Sequence, residues 1–310
     1  MKLAVLLIAA FQLAAQTPAP LPHSPDLYVS GFFSSSVQRA AGPLSAAAGT
    51  SAVFAQPVAR RPWGMAFGPD GALYVANQAG SPAIVKLAGP FSAAPGTAET
   101  FVDAGAFYDL AFGADGNLYA AGAGAVMRYD IVSHQLIDTF THGYALAEIH
   151  GIAFGPDGDL YVSNFESCIN GPAGCAGTRG EIVRFDGATG AFAGIYIANG
   201  RGGLHEPWKL VFTPSGDLLV ANFGVGEPAI LRFPRRSSRL VTNATFIKRD
   251  GMEPLYLALG PDRNIYVSSS DASGSAGSVL RFNGRTGAFI DVFLPAVDGG
   301  PRGLAFALGK

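Results

Sequence analysis

The sequence predicts an all-β fold, a six-bladed β-propeller with four antiparallel strands in each blade. A hairpin-like motif recurs along the chain, five times complete and once as its first half. Two further strand-like stretches follow each hairpin, which gives about four strands in roughly 45 residues, the signature of a propeller blade. The half that the last motif lacks is found at the other end of the chain, as expected for a closed ring.

The clearest copy of the motif runs from Gly151 to Asn164. Gly-Ile-Ala-Phe forms a short apolar strand, Gly-Pro-Asp-Gly a turn, and Leu-Tyr-Val-Ser-Asn a second strand. The turn composition has a physical basis, because Pro presets φ, Asp bonds its own backbone and Gly accepts positive φ. The six copies are marked by their aromatic or leucine position, at Phe67, Phe112, Phe154, Phe212, Leu259 and Phe306. The spacings are 45, 42, 58, 47 and 47 residues, which predicts one hairpin per blade.

The two ends of the chain are predicted to complete one blade together. The sixth copy, Pro301–Phe306, supplies a first strand and then stops. Asp26–Ser30 matches the second strand of the clearest copy, Asp159–Ser163. A linear solenoid would instead need polar caps at both ends. Residues 26–310 are therefore interpreted as a single closed domain.

The remaining strands are predicted from the apolar, β-branched stretches that follow each hairpin. In chain order they are Ser36–Arg39 and Ala52–Ala55, Ala83–Leu87 and Glu99–Val102, Ala125–Asp130 and Leu136–Phe140, Glu181–Asp186 and Phe192–Tyr196, Ala229–Phe233 and Ala244–Ile247, and Val279–Asn283 and Phe289–Val292. Each pair completes a four-stranded unit, so the chain provides six.

The N-terminus has the pattern of a signal peptide. Lys2 precedes a nine-residue apolar stretch, Leu3–Phe11, and Leu13–Ala15 is a small-residue cleavage signal. Residues 1–15 are predicted to be removed on export to the periplasm or extracellular space, with 16–25 as a Pro-rich leader. A buried N-terminal strand is the alternative. Nine apolar residues are too few to span a bilayer, so no membrane span is expected.

Charge and cysteine content limit the classes of partner. The formal net charge of −2 does not favour nucleic acid or an anionic membrane, and a monomer is expected. The only cysteines, Cys168 and Cys175, lie in one Gly-rich loop. In an exported protein they are predicted to form a disulfide, with a metal pair as the weaker alternative.

The residues before each first strand are predicted to ring the top of the channel. They include Arg61, Trp63, Asp109, Glu148, His150, Glu206, Trp208 and Arg302, and the second strands end near the same height at Asn77, Asn164 and Asn222. Oxygen ligands among them could hold Ca²⁺ or Mg²⁺, and the indoles could stack on a sugar or an aromatic ring. In the alternative interpretation, the Glu and Asn side chains cap strand ends and pair with the two arginines.

The repeats resemble the six-bladed propellers of the NHL, gluconolactonase (SMP-30-like) and strictosidine-synthase type. The resemblance rests on the Gly-x-Ala-Phe-Gly-Pro-Asp-Gly-x-Leu-Tyr-Val repeats and the Ile-Val-Arg-Phe-Asp-Gly-x-Thr-Gly turn, and it covers nearly all of the mature chain. It implies the same fold, which hosts hydrolases, lyases and binding modules. The lactonase metal ligands are not reproduced, since no Glu lies near Asp26 and His150 stands in place of an Asn.

A second, local resemblance involves Glu148-x-His150 with Asn164 fourteen residues after His150. It is similar to streptogramin B lyase, in which case Glu148 would be a metal ligand and His150 a general base. This chain differs from those lyases in two ways, since they have seven blades and carry an acid where Asn164 stands. The resemblance nevertheless predicts a divalent cation on Glu148 and Asn164, with Glu206 as a further ligand.

The sequence therefore favours an exported NHL-type propeller that binds a small molecule, a sugar or a protein partner through its top face. The candidate ligand-binding residues are Arg61, Trp63, Asn77, Asp109, Trp208, Asn222 and Arg302. The alternative is a metal-assisted hydrolase or lyase with Glu148 and His150 at the channel mouth.

Overall fold

The computed structural model describes residues 25–58, 60–122, 124–167, 178–223, 228–235, 241–270 and 276–307. This part of the chain forms six four-stranded antiparallel sheets, which confirms the predicted six blades. It also contains one 3-10 turn, Arg201–Gly203. No helix in the described ranges is long and apolar enough to cross a membrane. The predicted signal peptide, nearly all of the leader and both cysteines lie outside the described residues.

The strands follow one another in chain order, four to a blade. In blades one to three they are Leu27–Gly31 (β1), Ser36–Ala40 (β2), Ser51–Ala55 (β3), Pro62–Phe67 (β4), Leu73–Asn77 (β5), Ile84–Leu87 (β6), Ala98–Val102 (β7), Asp109–Phe112 (β8), Leu118–Gly122 (β9), Ala125–Tyr129 (β10) and Leu136–Thr139 (β11). In blades four to six they are Glu148–Phe154 (β12), Leu160–Ser167 (β13), Thr178–Phe185 (β14), Phe192–Ile197 (β15), Pro207–Phe212 (β16), Leu218–Asn222 (β17), Ala229–Phe233 (β18), Thr245–Ile247 (β19), Pro254–Leu259 (β20), Ile265–Ser270 (β21), Gly277–Phe282 (β22) and Phe289–Leu294 (β23). The last strand, Pro301–Phe306 (β24), returns to blade one.

Blade one closes the ring with strands from both ends of the chain. Strand β24 pairs antiparallel with β1, with Leu27 opposite Phe306 and Val29 opposite Leu304. The prediction of end-to-end closure is confirmed. The inner strands β24, β4, β8, β12, β16 and β20 each contact the next, and β20 contacts β24 again. Their first residues lie on one side of the ring, which we call the top face.

An aromatic ladder explains why the motif repeats Tyr and Phe. The Tyr of each second strand packs edge to face against the marker Phe of the next blade. The pairs are Tyr28–Phe67, Tyr74–Phe112, Tyr119–Phe154, Tyr161–Phe212 and Tyr266–Phe306, with ring centroids 4.8–5.2 Å apart. At the sixth interface both members are leucine, Leu219 and Leu259, and they share one apolar cluster. Each copy of the motif therefore contacts the next copy through one pair of side chains at the blade interface.

Four of these five tyrosines also anchor the turns on the bottom face. Tyr161 donates a hydrogen bond from its hydroxyl to Asp157 of its own turn at 2.8 Å. Tyr74, Tyr119 and Tyr266 make the equivalent bonds to Asp70, Asp115 and Asp262, at 2.9–3.0 Å. Because these four tyrosines pack on the next blade and bond their own turns, the motif holds neighbouring blades in register. Tyr28, in the blade that joins both ends of the chain, has a buried hydroxyl without a partner.

Candidate functional site

Two layers of side chains fill the upper channel, and each comes from equivalent positions of the six inner strands. The lower layer consists of Gly64, Asp109, Gly151, Lys209, Tyr256 and Gly303. The glycines are required by close backbone approach. A Cβ on Gly151 would lie 2.1 Å from the carbonyl oxygen of Trp208, and one on Gly303 would lie 2.2 Å from that of Trp63. Only the remaining three positions carry side chains.

Asp109 in blade three is the centre of the lower layer and is fully buried. Its Oδ2 accepts hydrogen bonds from Lys209 Nζ at 2.6 Å and from the Ile152 amide at 2.9 Å. Its Oδ1 accepts from the Tyr256 hydroxyl at 2.7 Å. Because blade six lies opposite blade three, the Tyr256 bond crosses the channel. We call Asp109, Lys209 and Tyr256 the channel plug, because they close the channel at this level.

The upper layer is mainly aromatic. Trp63, Tyr108, His150 and Trp208 form a closed ring of side chains, which we call the aromatic floor. Their centroid separations are 5.5 Å for Trp63–Tyr108, 4.7 Å for Tyr108–His150, 4.4 Å for His150–Trp208 and 5.5 Å for Trp208–Trp63. Trp63 and His150 are buried, whereas Tyr108 and Trp208 are partly exposed. The rings are packed against one another, with the two indoles stacked and Tyr108 edge-on to Trp63, so the top face ends in an aromatic cluster above the plug.

His150 is neutral at physiological pH. Burial among the rings lowers its pKa to about 4. Nε2 lies 3.9 Å from Oε2 of Glu148, which is more than half exposed. This separation is longer than a hydrogen bond. Nδ1 is buried without a hydrogen-bond partner.

The protein is expected to lose stability in acid because of His150. In the unfolded chain its pKa is near 6.5, so between pH 6.5 and about 4 only the unfolded state binds the proton. The free energy of unfolding should fall over this window by up to about 3 kcal/mol. Urea denaturation from pH 4 to pH 7 measures this. His150→Phe should flatten the profile within the window, and an unchanged slope in that variant would contradict the assignment.

Arg302 and Arg61 lie beside the floor, and both guanidinium groups contact the ring of Phe32. The Arg302 guanidinium carbon is 5.0 Å from the Phe32 centroid and 5.4 Å from that of Trp63. Arg302 is 8% exposed, and burial lowers its pKa to about 10. Nη1 donates to Ser270 Oγ at 2.5 Å and to the Pro301 carbonyl at 3.1 Å, whereas Nε has no partner. Arg61 is exposed, 5.5 Å above the Phe32 ring.

The three predicted asparagines hold loops at the top face. Asn164 Oδ1 accepts from the Ala147 amide at 2.8 Å, and its Nδ2 donates to Glu181 Oε1 at 2.9 Å. Asn222 Oδ1 accepts from the amides of His205 and Glu206, and Asn77 Nδ2 donates to a carbonyl, that of Pro82. These are the cap contacts of the alternative interpretation.

The predicted cation ligands have different surroundings in the structure. Among the described residues, no group of three or more His, Cys, Asp or Glu could hold a metal ion. The Glu148 side chain is more than half exposed, Glu206 is buried, and the Asn164 oxygen accepts a hydrogen bond from a backbone amide. Glu148, Asn164 and Glu206 therefore remain predicted ligands.

Sequence reasoning placed Trp63, His150, Trp208 and Arg302 at one height and missed the channel plug. Asp109 lies one layer lower than predicted, bonded to Lys209 and Tyr256. A signal was present: these three residues occupy the position where three other copies of the motif carry glycine. At this position of the motif the backbone of the adjacent blade lies very close, as the contacts of Gly151 and Gly303 show. A charged or large side chain there must therefore extend into the channel.

Comparison with known proteins finds the fold but no close relative. No protein-family model matches the sequence, and no curated protein matches it. A gluconolactonase from Xanthomonas campestris is similar in structure over 93% of this chain and 91% of its own, with a TM-score of 0.60 and 16% identity. Hydrazine synthase from Kuenenia stuttgartiensis gives 0.57 and 17% identity over 84% and 81% of the two chains. Regucalcin from Agrobacterium tumefaciens, a calcium-binding protein, gives 0.50 and 15% identity over 74% and 72%.

These neighbours differ in activity, and identities of 15–17% support similarity of fold alone. The chain is therefore a six-bladed β-propeller whose architecture is similar to that of gluconolactonase and regucalcin propellers.

Proposed function

We propose that this protein is an exported β-propeller that binds a small ligand on the aromatic floor of its top face. The observation that carries the proposal is the floor itself, where two indoles, a phenol and a neutral imidazole lie together at the end of a plugged channel. Trp208 Nε1 and His150 Nδ1 are buried there without partners. A buried polar atom without a hydrogen-bond partner lowers the free energy of unfolding by about 1–3 kcal/mol. Such atoms are therefore rare in folded proteins, and a bound ligand is one way to satisfy them.

The arrangement suits a planar or cyclic ligand. Stacked aromatic surface provides binding energy at little cost in side-chain entropy, because packing already fixes these rings. The channel plug beneath the floor excludes passage of a ligand through the ring, so binding takes place from the top. The signal-peptide pattern of residues 1–15 supports export.

A thermal-shift screen of sugars, lactones, aromatic acids and divalent metals tests the proposal. A compound that stabilises the wild type should bind His150→Ala and Trp208→Ala more weakly, by about tenfold for the loss of one good contact of ~1.4 kcal/mol. Circular dichroism at neutral pH checks that both variants remain folded. A compound that stabilises all three proteins equally would place the site elsewhere.

A metal-assisted lactonase or lyase activity is the second candidate. Its support is the similarity of fold to a gluconolactonase and a calcium-binding protein, together with the closeness of His150 and Glu148. A general base works best with a pKa near the operating pH, and the low pKa of His150 makes it a weak base. Elemental analysis of purified protein tests for the metal, and lactone hydrolysis followed with a pH indicator tests for turnover. Absence of both removes this candidate.

A further inference from the structure

The chemistry of the unpartnered groups beside the aromatic floor indicates what kind of ligand fits there. Trp208 Nε1 and Arg302 Nε are both buried and both lack a partner. An indole nitrogen and a guanidinium nitrogen can only donate hydrogen bonds. Both are unused donors, whereas the unpaired His150 Nδ1 can donate or accept according to its tautomer. A ligand that pairs with the two donors must bring acceptor oxygens.

Arg302 adds a charge requirement. It occupies in blade one the position that carries Trp63, Tyr108, His150 and Trp208 in blades two to five. Within the described ranges, no carboxylate lies within ion-pair distance of its guanidinium. Its hydrogen bonds go to a hydroxyl and a carbonyl, which are neutral. A guanidinium that is 92% buried without an anion is costly, because burial removes the solvation of its charge.

The surroundings hold this cation in place. Phe32 and Trp63 lie under the guanidinium, and ring faces attract a cation. Arg61 lies over the same Phe32 ring, so two positive charges flank one edge of the floor. Glu148, by contrast, lies beside His150 in blade four, on the other side of the ring of blades. The acid whose charge acts on Arg302 is Glu253, and its effect is smaller than that of burial.

We propose that the aromatic floor takes an anionic ligand, a planar or cyclic carboxylate whose ring packs on the partly exposed Trp208 and whose carboxylate is bound by Arg302. The inference rests on the proposed function and adds the class of ligand. A carboxylate supplies two acceptor oxygens in a plane, which matches the planar donor set of a guanidinium. Trp63 connects the two parts of the site, since its ring centroid lies 5.4 Å from the guanidinium carbon and 5.5 Å from the Trp208 ring.

Three probes that share a phenyl ring and differ in charge test the assignment. They are benzoate, which is an anion, benzamide, which is neutral, and benzylamine, which is a cation at neutral pH. Both tryptophans of the chain lie in the floor, so their fluorescence, excited near 300 nm, reports binding at this site. Benzoate should give a saturable change at a concentration at least tenfold lower than benzamide or benzylamine. Arg302→Gln should weaken benzoate about tenfold or more and leave benzamide nearly unchanged.

The control variant is Arg285→Gln, which removes the same charge from an exposed position in a bottom-face turn. It should bind benzoate like the wild type. Arg302→Lys, which keeps a cation but not the planar fork, should bind benzoate with intermediate strength and is the fallback if Arg302→Gln does not fold.

Preferential binding of benzylamine, or equal binding of benzamide and benzoate, would overturn the anion assignment while supporting a ligand site on the floor. If none of the three probes changes the emission, the anion assignment also fails. In that case the proposed function is decided separately by the thermal-shift screen, because sugars and lactones in that screen carry no charge.

Discussion

Replacing Asp109 with alanine is expected to lower the free energy of unfolding by about 3–5 kcal/mol, the usual cost of breaking a buried ion pair. The substitution leaves Lys209, whose side chain is 11% exposed, without its counterion. It also removes the acceptor for the Tyr256 hydroxyl and the Ile152 amide. Because these partners come from blades four, five and six, the loss weakens several blade contacts together.

Urea denaturation followed by circular dichroism measures the effect. Asp138→Ala is the matched control, because Asp138 lies in the same blade and pairs with Arg128 while 41% exposed. An exposed pair contributes about 1 kcal/mol or less. The double variant Asp109→Leu with Lys209→Met removes both charges and should recover much of the loss. If Asp109→Ala and Asp138→Ala unfold at the same urea concentration, the channel plug is not a stabilising element.

Deleting Pro301–Lys310 is expected to abolish the soluble folded protein. The deletion removes β24, exposes the full edge of β1 and opens the ring. It also removes Leu304 from the core and Phe306 from its edge-to-face contact with Tyr266. Size-exclusion chromatography and circular dichroism of the expressed chain measure the outcome.

A circular permutant provides the control for this deletion. Residues 301–306 are moved in front of Asp26, and the two are joined through a Gly-Pro-Asp-Gly turn like that of blade four. Since Phe306 pairs with Leu27, such a turn spans the junction as it does in the other blades. The permutant should fold and the truncated chain should not. A soluble truncated chain with an unchanged melting temperature would contradict closure through β24.

The repeats made the fold predictable because each motif contains both halves of an interblade contact. At most interfaces this contact is a Tyr–Phe pair, such as Tyr161 and Phe212. At one interface both residues are leucine, Leu219 and Leu259, and they occupy the equivalent positions of the motif. The spacing of the motif therefore identifies which residues meet. Strand ends differ from prediction by only a few residues. Closure was predictable for the same reason, since Asp26–Ser30 is an isolated second strand that lacks its first.

The depth of the site residues along the channel was predictable from the sequence, but the hydrogen bonds between their side chains were not. Alignment of the motifs places Trp63, His150 and Trp208 in one layer, because equivalent positions in a propeller lie at equal depth. It does not show that Asp109 bonds to groups 100 and 147 residues away. Nor does it distinguish an Asn that binds a ligand from one that caps a loop, as Asn164 does, since both uses need the same side chain near a strand end.

The most direct test of the central claim, that the aromatic floor is the binding site, is tryptophan emission during titration with a compound that raises the melting temperature. Both tryptophans belong to the floor and their rings lie 5.5 Å apart, so a ligand stacked there must alter their surroundings. The emission change should saturate at the concentration that saturates the thermal shift. A compound that stabilises the protein while the emission of both tryptophans stays constant would contradict the claim.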